Sequence, residues 1–192
     1  MARPSREKQI REAALGCFAR LGYDGTRVRH IADEAGVSEA ALYRHWKSKE
    51  ELAASVFADG MRGYAAELAE AADGDRPPRE RLAAVIGRML DLYRDQPHLS
   101  VFLIEQQPRF IQALPASFPY PLHVFERIVE AGQKQKSVKR GDPRLLAAMA
   151  LGCATRPILV SRYSKSWSLD PADAAQRKLV AGSAWDAIRR PG

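Results

Sequence analysis

Residues 31–50 read IADEAGVSEAALYRHWKSKE, and the placing of glycine, serine and apolar residues in this stretch decides the fold. A helix carrying Ile31, Ala32 and Ala35 runs into Gly36, restarts behind Ser38 with Leu42 and Trp46 on its inner side, and stops again near Ser48. Glycine takes the left-handed conformation without steric cost, and serine accepts from the free N–H groups of a first helical turn. Gly36 therefore ends one helix and Ser38 opens the next. Two short helices joined by a three-residue turn with glycine form a helix-turn-helix, in which the first helix braces the second. The second helix then exposes Glu39, Ala40, Ala41, Tyr43, Arg44 and His45. An exposed helix of about two turns fits the DNA major groove, which is roughly 12 Å wide. A plain corner between bundle helices gives no reason to place an aromatic and two basic residues on the outer face.

The reading extends in both directions as helix after helix. Ile10, Ala13, Ala14, Cys17, Phe18 and Leu21 recur at helical spacing behind Ser5, and Gly22 follows as a stop. Thr26 stands as cap of the short helix that carries Val28 and Ile31. Ser48 with Glu51 makes a capping box for a fourth helix through Leu52, Val56, Met61 and Leu68. DGDRPP at 73–78 breaks the chain, a fifth helix spans Glu80 to Asp95, and HLSVFLIEQQ at 98–107 gives a sixth. A seventh runs from Pro121 to Lys136, an eighth from Pro143 to Val160, and a ninth opens at Asp170 with Pro171 in its first position. The fold class is all-α, with about nine helices. Residues 1–50 are expected to form the helix-turn-helix domain, its two helices at about 27–46, and residues 51–192 a helical regulatory and dimerisation domain.

Composition sets the bounds. With 46% apolar and 28% charged residues, the 192-residue chain has the balance of an ordinary globular protein. Net charge is +7, which permits nucleic acid as a partner. Residues 1–60 nevertheless hold 10 Lys and Arg against 9 Asp and Glu, so charge alone does not locate the DNA-binding part. Leu145 to Thr155 is the longest apolar stretch, interrupted by Arg156 and Pro157, and no secretory leader is visible, so a cytoplasmic protein is expected. Cys17 and Cys153 lie in apolar helical patterns far apart in sequence, which suits buried thiols better than a disulfide or a metal site.

Arg6 to Glu51 resembles the DNA-binding domain of the tetracycline-repressor (TetR) family of bacterial transcription regulators. The resemblance is carried by Ile10, Ala13, Ala14, Phe18 and Gly22, by Gly25, Thr26, Val28, Ile31 and Ala32, by AGVS at 35–38, LYRHW at 42–46 and SKEEL at 48–52. Trp46 stands where phenylalanine is common, and Arg27 where a second threonine is frequent. The resemblance implies that Thr26, Tyr43 and Lys49 hold DNA phosphates, with Arg27 and Lys47 added to the set; such contacts fix register without reading sequence. Ser38 opens the recognition helix, Arg44 is the candidate for guanine, Glu39 for the cytosine amino group, and Ala40 or Ala41 for a thymine methyl. His45 is placed on either backbone or base.

The rest of the chain matches that family by helical pattern and length. The resemblance implies a homodimer formed by the last two helices, and Leu179, Gly182 and Trp185 of the ninth are the interface candidates. It also implies a small-molecule effector held among the fourth to eighth helices, with Met89, Tyr93, Phe102, His123, Phe125 and Arg156 as lining candidates. Arg156 is a charge on an apolar helix and suits an anionic or carbonyl-bearing ligand. The sequence contains no phosphate-cradling loop and no nucleophile motif, and His123 with Glu126 is a single pair at metal-ligand spacing. No cofactor, metal or catalytic residue is assigned. The expected function is a ligand-responsive repressor on a palindromic operator; the alternatives are a helix-turn-helix DNA binder without effector and, remotely, a helical metal-dependent enzyme.

Overall fold

The structure, a computed structural model, describes residues 5–191. Its described residues form nine α-helices: α1 (Arg6–Leu21), α2 (Val28–Ala35), α3 (Glu39–Tyr43), α4 (Lys49–Ala71), α5 (Pro78–Asp95), α6 (Pro97–Phe110), α7 (Pro121–Lys134), α8 (Pro143–Tyr163) and α9 (Ala174–Ile188), with a 3₁₀ turn at Ile111–Ala113. The all-helical fold read from the sequence is the one observed. They divide into two compact units. One holds the chain up to Gly60 together with His98–Pro115, and the other holds Met61–Pro97 with the chain from Ala116 onward. The division between them falls inside α4, and α6 groups with the N-terminal unit.

The N-terminal unit is built on aromatic and aliphatic side chains that its helical periodicity brings to one side. Ile10, Ala14, Cys17, Ile31, Leu42, Leu52 and Phe57 are fully buried. Phe102 of α6 stacks on Phe18 of α1 with ring centres 5.2 Å apart, and Phe110 lies 5.5 Å from Phe57. A side chain at residue 60 would keep α6 away: a Cβ on Gly60 would stand 2.8 Å from Leu99 Cδ1. This packing explains the membership of α6. An amphipathic pattern shows which face of α6 is apolar, whereas its partners are set by tertiary structure.

In the second unit α5, α7, α8 and α9 pack closely, α8 against both α7 and α9, and α5 against α7 and α9. Arg177 of α9 fixes one of these contacts by donating to Asp91 at 2.9 Å, to the Gly87 carbonyl at 3.1 Å and to the Pro171 carbonyl at 2.8 Å. Beyond α7 the chain runs beside the end of α9, through a bridge between Val138 and Arg189 and a Lys139 bond to the Ala187 carbonyl at 2.6 Å. Helix α9 starts later than the sequence suggests. Asp173 caps it, accepting from Ala175 and Gln176, while Asp170 closes the preceding turn by accepting from the Ala172 N–H.

Helix α8 continues unbroken through Arg156 and Pro157, as expected, and by length and composition it is apolar enough to cross a membrane. Proline lacks the N–H that would bond the Cys153 carbonyl, so the helix loses one backbone bond there without ending. Only 28% of the most apolar stretch of α8 is buried within the chain. Leu145 and Tyr163 are each 60% exposed, and Leu179 on the neighbouring α9 is 68% exposed.

Candidate nucleic-acid interface

The turn between α2 and α3 has the geometry its residues dictate. Gly36 adopts φ 64° and ψ 36°, the left-handed region, and its N–H together with that of Val37 closes on the carbonyls of Ala32 and Asp33. Ser38 is extended, and its Oγ accepts from the Ala41 N–H at 3.1 Å to cap α3. Helix α3 is only five residues long, shorter than the two turns expected, and Arg44 and His45 continue from it as a tighter turn.

Glu39, Ala40, Tyr43, Arg44, His45 and Lys47 are exposed around this short helix, and Arg27 and Arg29 are exposed at the start of α2. Tyr43, 48% exposed, is one of few large apolar side chains turned to solvent in this unit. The exposed cations Arg27, Arg29, Arg44 and Lys47 are what an anionic backbone requires. Ala41 does not belong to this set. It is 7% exposed and packs inward, because the five-residue helix turns that position toward the core with Leu42.

Two further assignments change. Thr26 is 1% exposed, and its hydroxyl donates inward, at 2.7 Å to the Gly22 carbonyl and 3.2 Å to that of Cys17. It closes the turn between α1 and α2 instead of facing a phosphate. Nor does Thr26 cap α2: Arg27 holds the cap position, with its N–H bonded to His30 Nδ1 at 3.2 Å. Gly25 is required beside it, because a Cβ there would collide with the Leu21 carbonyl. Lys49 is half-buried, and its ammonium donates to the Tyr23 and Thr26 carbonyls at 3.0 and 2.9 Å. In this conformation Lys49 secures the α1–α2 connection from the first turn of α4.

Tyr23, which the sequence reading left aside, organises that connection. Lys49 Nζ lies 4.4 Å from its ring centre and the Arg109 guanidinium lies 4.5 Å from it, while Arg109 also pairs with Asp24 at 3.1 Å. Burial, followed by the charge of Glu50, pushes the Tyr23 phenol up to about 12. Hydrogen bonding from its own backbone holds Glu50 below its ordinary range. The other bracing contact involves Trp46, whose indole N–H donates to Ser55 Oγ at 3.0 Å. Arg11 of α1 reaches the same serine and pairs with Asp59 at 2.6 Å, so one polar chain links α1, the end of α3 and α4.

The expected effector residues do not converge on one described cavity. Phe102 is packed in the N-terminal unit against Phe18. Met89 and Phe125 are fully buried in the other unit, Tyr93 and His123 are half-buried there, and His123 lies edge-on to Tyr120 at 6.0 Å. Glu126 pairs with Arg144 at 3.6 Å. Arg156 is exposed on α8, where it borders an open groove of about 450 Å³ shared with Cys153, Trp167, Leu179, Val180 and Ser183. Leu179 lines the same groove; Gly182 and Trp185 are half-buried, and a Cβ on Gly182 would meet open space. A groove of about 400 Å³ in the N-terminal unit is bordered by Lys8, Arg11, Leu15, Val56, Asp59 and Leu99. Both cysteines are unbridged, and burial raises the pKa of each thiol.

A short exposed helix, braced through a left-handed glycine turn and surrounded by cations, defines a helix-turn-helix DNA-binding module. Residues 10–56 match the family described as "Bacterial regulatory proteins, tetR family". A relative, the Fatty acid metabolism regulator protein of Bacillus subtilis (strain 168), is 27% identical over 149 residues, covering 75% of this chain and 77% of its own. The HTH-type transcriptional repressor KstR2 of Mycolicibacterium smegmatis is 28% identical over 111 residues, 58% of this chain and 54% of its own. The crystal structure of a bacterial regulatory protein in the tetR family from Rhodococcus RHA1 superimposes with a TM-score of 0.78 at 23% identity, covering 99% of this chain and all of that one. Residues 10–56 carry a DNA-binding domain of the TetR family of bacterial transcription regulators. The chain is a DNA-binding regulator and not an enzyme.

Proposed function

We propose that the protein is a cytoplasmic repressor that binds a palindromic operator as a homodimer and releases it on binding a small molecule. The observation that carries this reading is the outer face of α3, where Glu39, Ala40, Arg44 and His45 stand exposed on a turn fixed by Gly36 and Ser38. Arg44 suits guanine, Glu39 suits the cytosine amino group and Ala40 a thymine methyl. Arg27, Tyr43 and Lys47 suit phosphates, while Thr26 and Lys49 act by holding the module in shape. The repressor reading is supported by relatives that carry that name.

The dimer reading is supported by α8 and α9. Leu145, Met149, Tyr163, Trp167 and Leu179 expose large apolar surface there, and the open groove between the helices adds to it. An apolar patch of this kind on a soluble chain calls for a partner, and a second copy of the same face gives a closed two-fold pair. Gly182 and Gly152, each with open space where a Cβ would stand, allow close helix approach across such a pair. Footprinting the purified protein on the DNA upstream of its own reading frame tests the proposal. Protection of two half-sites about one helical turn apart supports it, and uniform protection without a preferred site refutes it.

A further inference from the structure

The chain's excess positive charge does not lie on its helix-turn-helix. Residues 1–60 carry 10 Lys and Arg against 9 Asp and Glu, whereas residues 130–144 together with 186–192 carry seven against three, so these two short segments hold +4 of the net +7. Lys134, Lys136, Arg140, Arg144, Arg189 and Arg190 are exposed there. Arg144 pairs with Glu126, and Arg189 with Asp186. Lys134, Lys136, Arg140 and Arg190 have no side-chain hydrogen bond or ion pair among the described residues.

The fold draws these four cations together from two distant parts of the chain. The segment after α7 runs antiparallel to the end of α9, with the Arg190 N–H donating to the Ser137 carbonyl at 2.9 Å and the Lys139 N–H to the Ile188 carbonyl at 3.0 Å, around the Val138–Arg189 bridge. Lys136 turns the chain at φ 60°, in the left-handed region, and Val138 then packs back on α7, where a Cβ at Gly132 would collide with it. Gln133 holds the other side of the turn by donating to the Lys139 and Gly141 carbonyls at 3.1 and 3.0 Å. Like charges gathered on a fixed backbone repel one another, and a polyanion relieves that repulsion.

The exposed residues of 134–141 and 189–191 include no large apolar or aromatic side chain. Protein partners and membrane surfaces take apolar or aromatic anchors, and unpaired bases take aromatic platforms. A duplex presents phosphates on its outside and asks only for charge and hydrogen bonds. We propose that this patch is a second DNA-binding surface, which holds the phosphate backbone of duplex DNA without reading its sequence. It belongs to the unit that does not contain the helix-turn-helix, so it is a contact separate from that of α3.

The test uses the full chain and a duplex of random sequence, with binding followed by fluorescence anisotropy as salt is raised. Arg27→Gln, Arg44→Gln and Lys47→Gln together remove exposed cations of the helix-turn-helix. That protein is expected to keep duplex binding with a slope of log affinity on log salt of about −3.6, the value for four phosphate contacts, hence a loss of about a hundredfold between 50 and 200 mM salt. Adding Lys134→Gln, Lys136→Gln, Arg140→Gln and Arg190→Gln is expected to weaken the remaining binding at least tenfold at the lower salt. Exchanging the same four residues instead for the other cation, Lys134→Arg, Lys136→Arg, Arg140→Lys and Arg190→Lys, is expected to retain it, which separates charge from folding. The proposal is overturned if the helix-turn-helix variant binds no duplex, if binding survives removal of the four patch cations, or if the charge-preserving exchange also abolishes it. Displacement of the duplex by polyglutamate at equal charge would make the partner an acidic protein, and tighter binding of oligothymidine of the same length would make it single-stranded; either result overturns the duplex assignment.

Discussion

The Trp46 indole N–H donates to Ser55 Oγ at 3.0 Å, and that oxygen in turn donates to the Leu52 carbonyl at 2.8 Å. An indole in place of the phenylalanine common at this position brings a polar atom into the core, and Ser55 on α4 satisfies it. The end of the recognition turn is thereby attached to α4 by a directional bond as well as by packing.

Ser55→Ala is expected to lower stability by about 1–3 kcal/mol, because it leaves the buried indole N–H without its acceptor. The same change in a Trp46→Phe background is expected to cost less, since no indole N–H remains to be stranded. Denaturant unfolding of the four proteins gives the coupling between the two residues. Strict additivity would show that the bond contributes nothing to the brace.

Thr26→Val keeps the shape of the side chain and removes the hydroxyl that closes the α1–α2 turn. A stability loss of about 1 kcal/mol is expected, read as a drop of roughly 2–4 °C in melting temperature. Operator affinity of the folded variant is expected to stay unchanged. A loss of affinity that is equal across operator sequences would instead show that Thr26 engages a phosphate.

Alkaline pH probes the Tyr23 contacts. The folded phenol has its pKa raised to about 12, above the ordinary value of 10.0, so the folded state keeps a proton that the unfolded state loses in between. The associated stability is complete below about pH 10 and declines as pH rises toward about 12. Tyr23→Phe is expected to flatten that decline in denaturant titrations at successive pH values; an unchanged decline would place the titrating group elsewhere.

The helix-turn-helix was legible because its signals are local: Gly36 at positive φ and Ser38 as a cap depend on residues within one turn. The errors share one cause, which is that tertiary partners do not show in a sequence pattern. Thr26 has the chemistry of a cap or a phosphate ligand, yet the carbonyls of Cys17 and Gly22 take its hydroxyl. Asp170 before Pro171 looks like a helix start, but three residues later Asp173 offers the same carboxylate, and it is the one that caps α9. Phe102 lies on a helix whose apolar face fits either unit, and only its stack on Phe18 decides between them.

Leu179→Arg places a charge at the most exposed large apolar side chain of α9. The variant is expected to remain helical by circular dichroism and to elute as a monomer in light-scattering chromatography. Its operator affinity is expected to fall, because the two half-sites then bind without linkage. A variant that remains dimeric would move the interface away from α8 and α9.

The most direct measurement is quantitative binding of wild type and Arg44→Ala to the footprinted operator and to a series of single base-pair variants at fixed salt. The expected result is a loss of about 1–3 kcal/mol for Arg44→Ala, confined to one base pair per half-site, with preference relaxed there and retained elsewhere. An Arg44→Ala protein that keeps the wild-type preference at every position would contradict the assignment of α3 as the element that reads sequence.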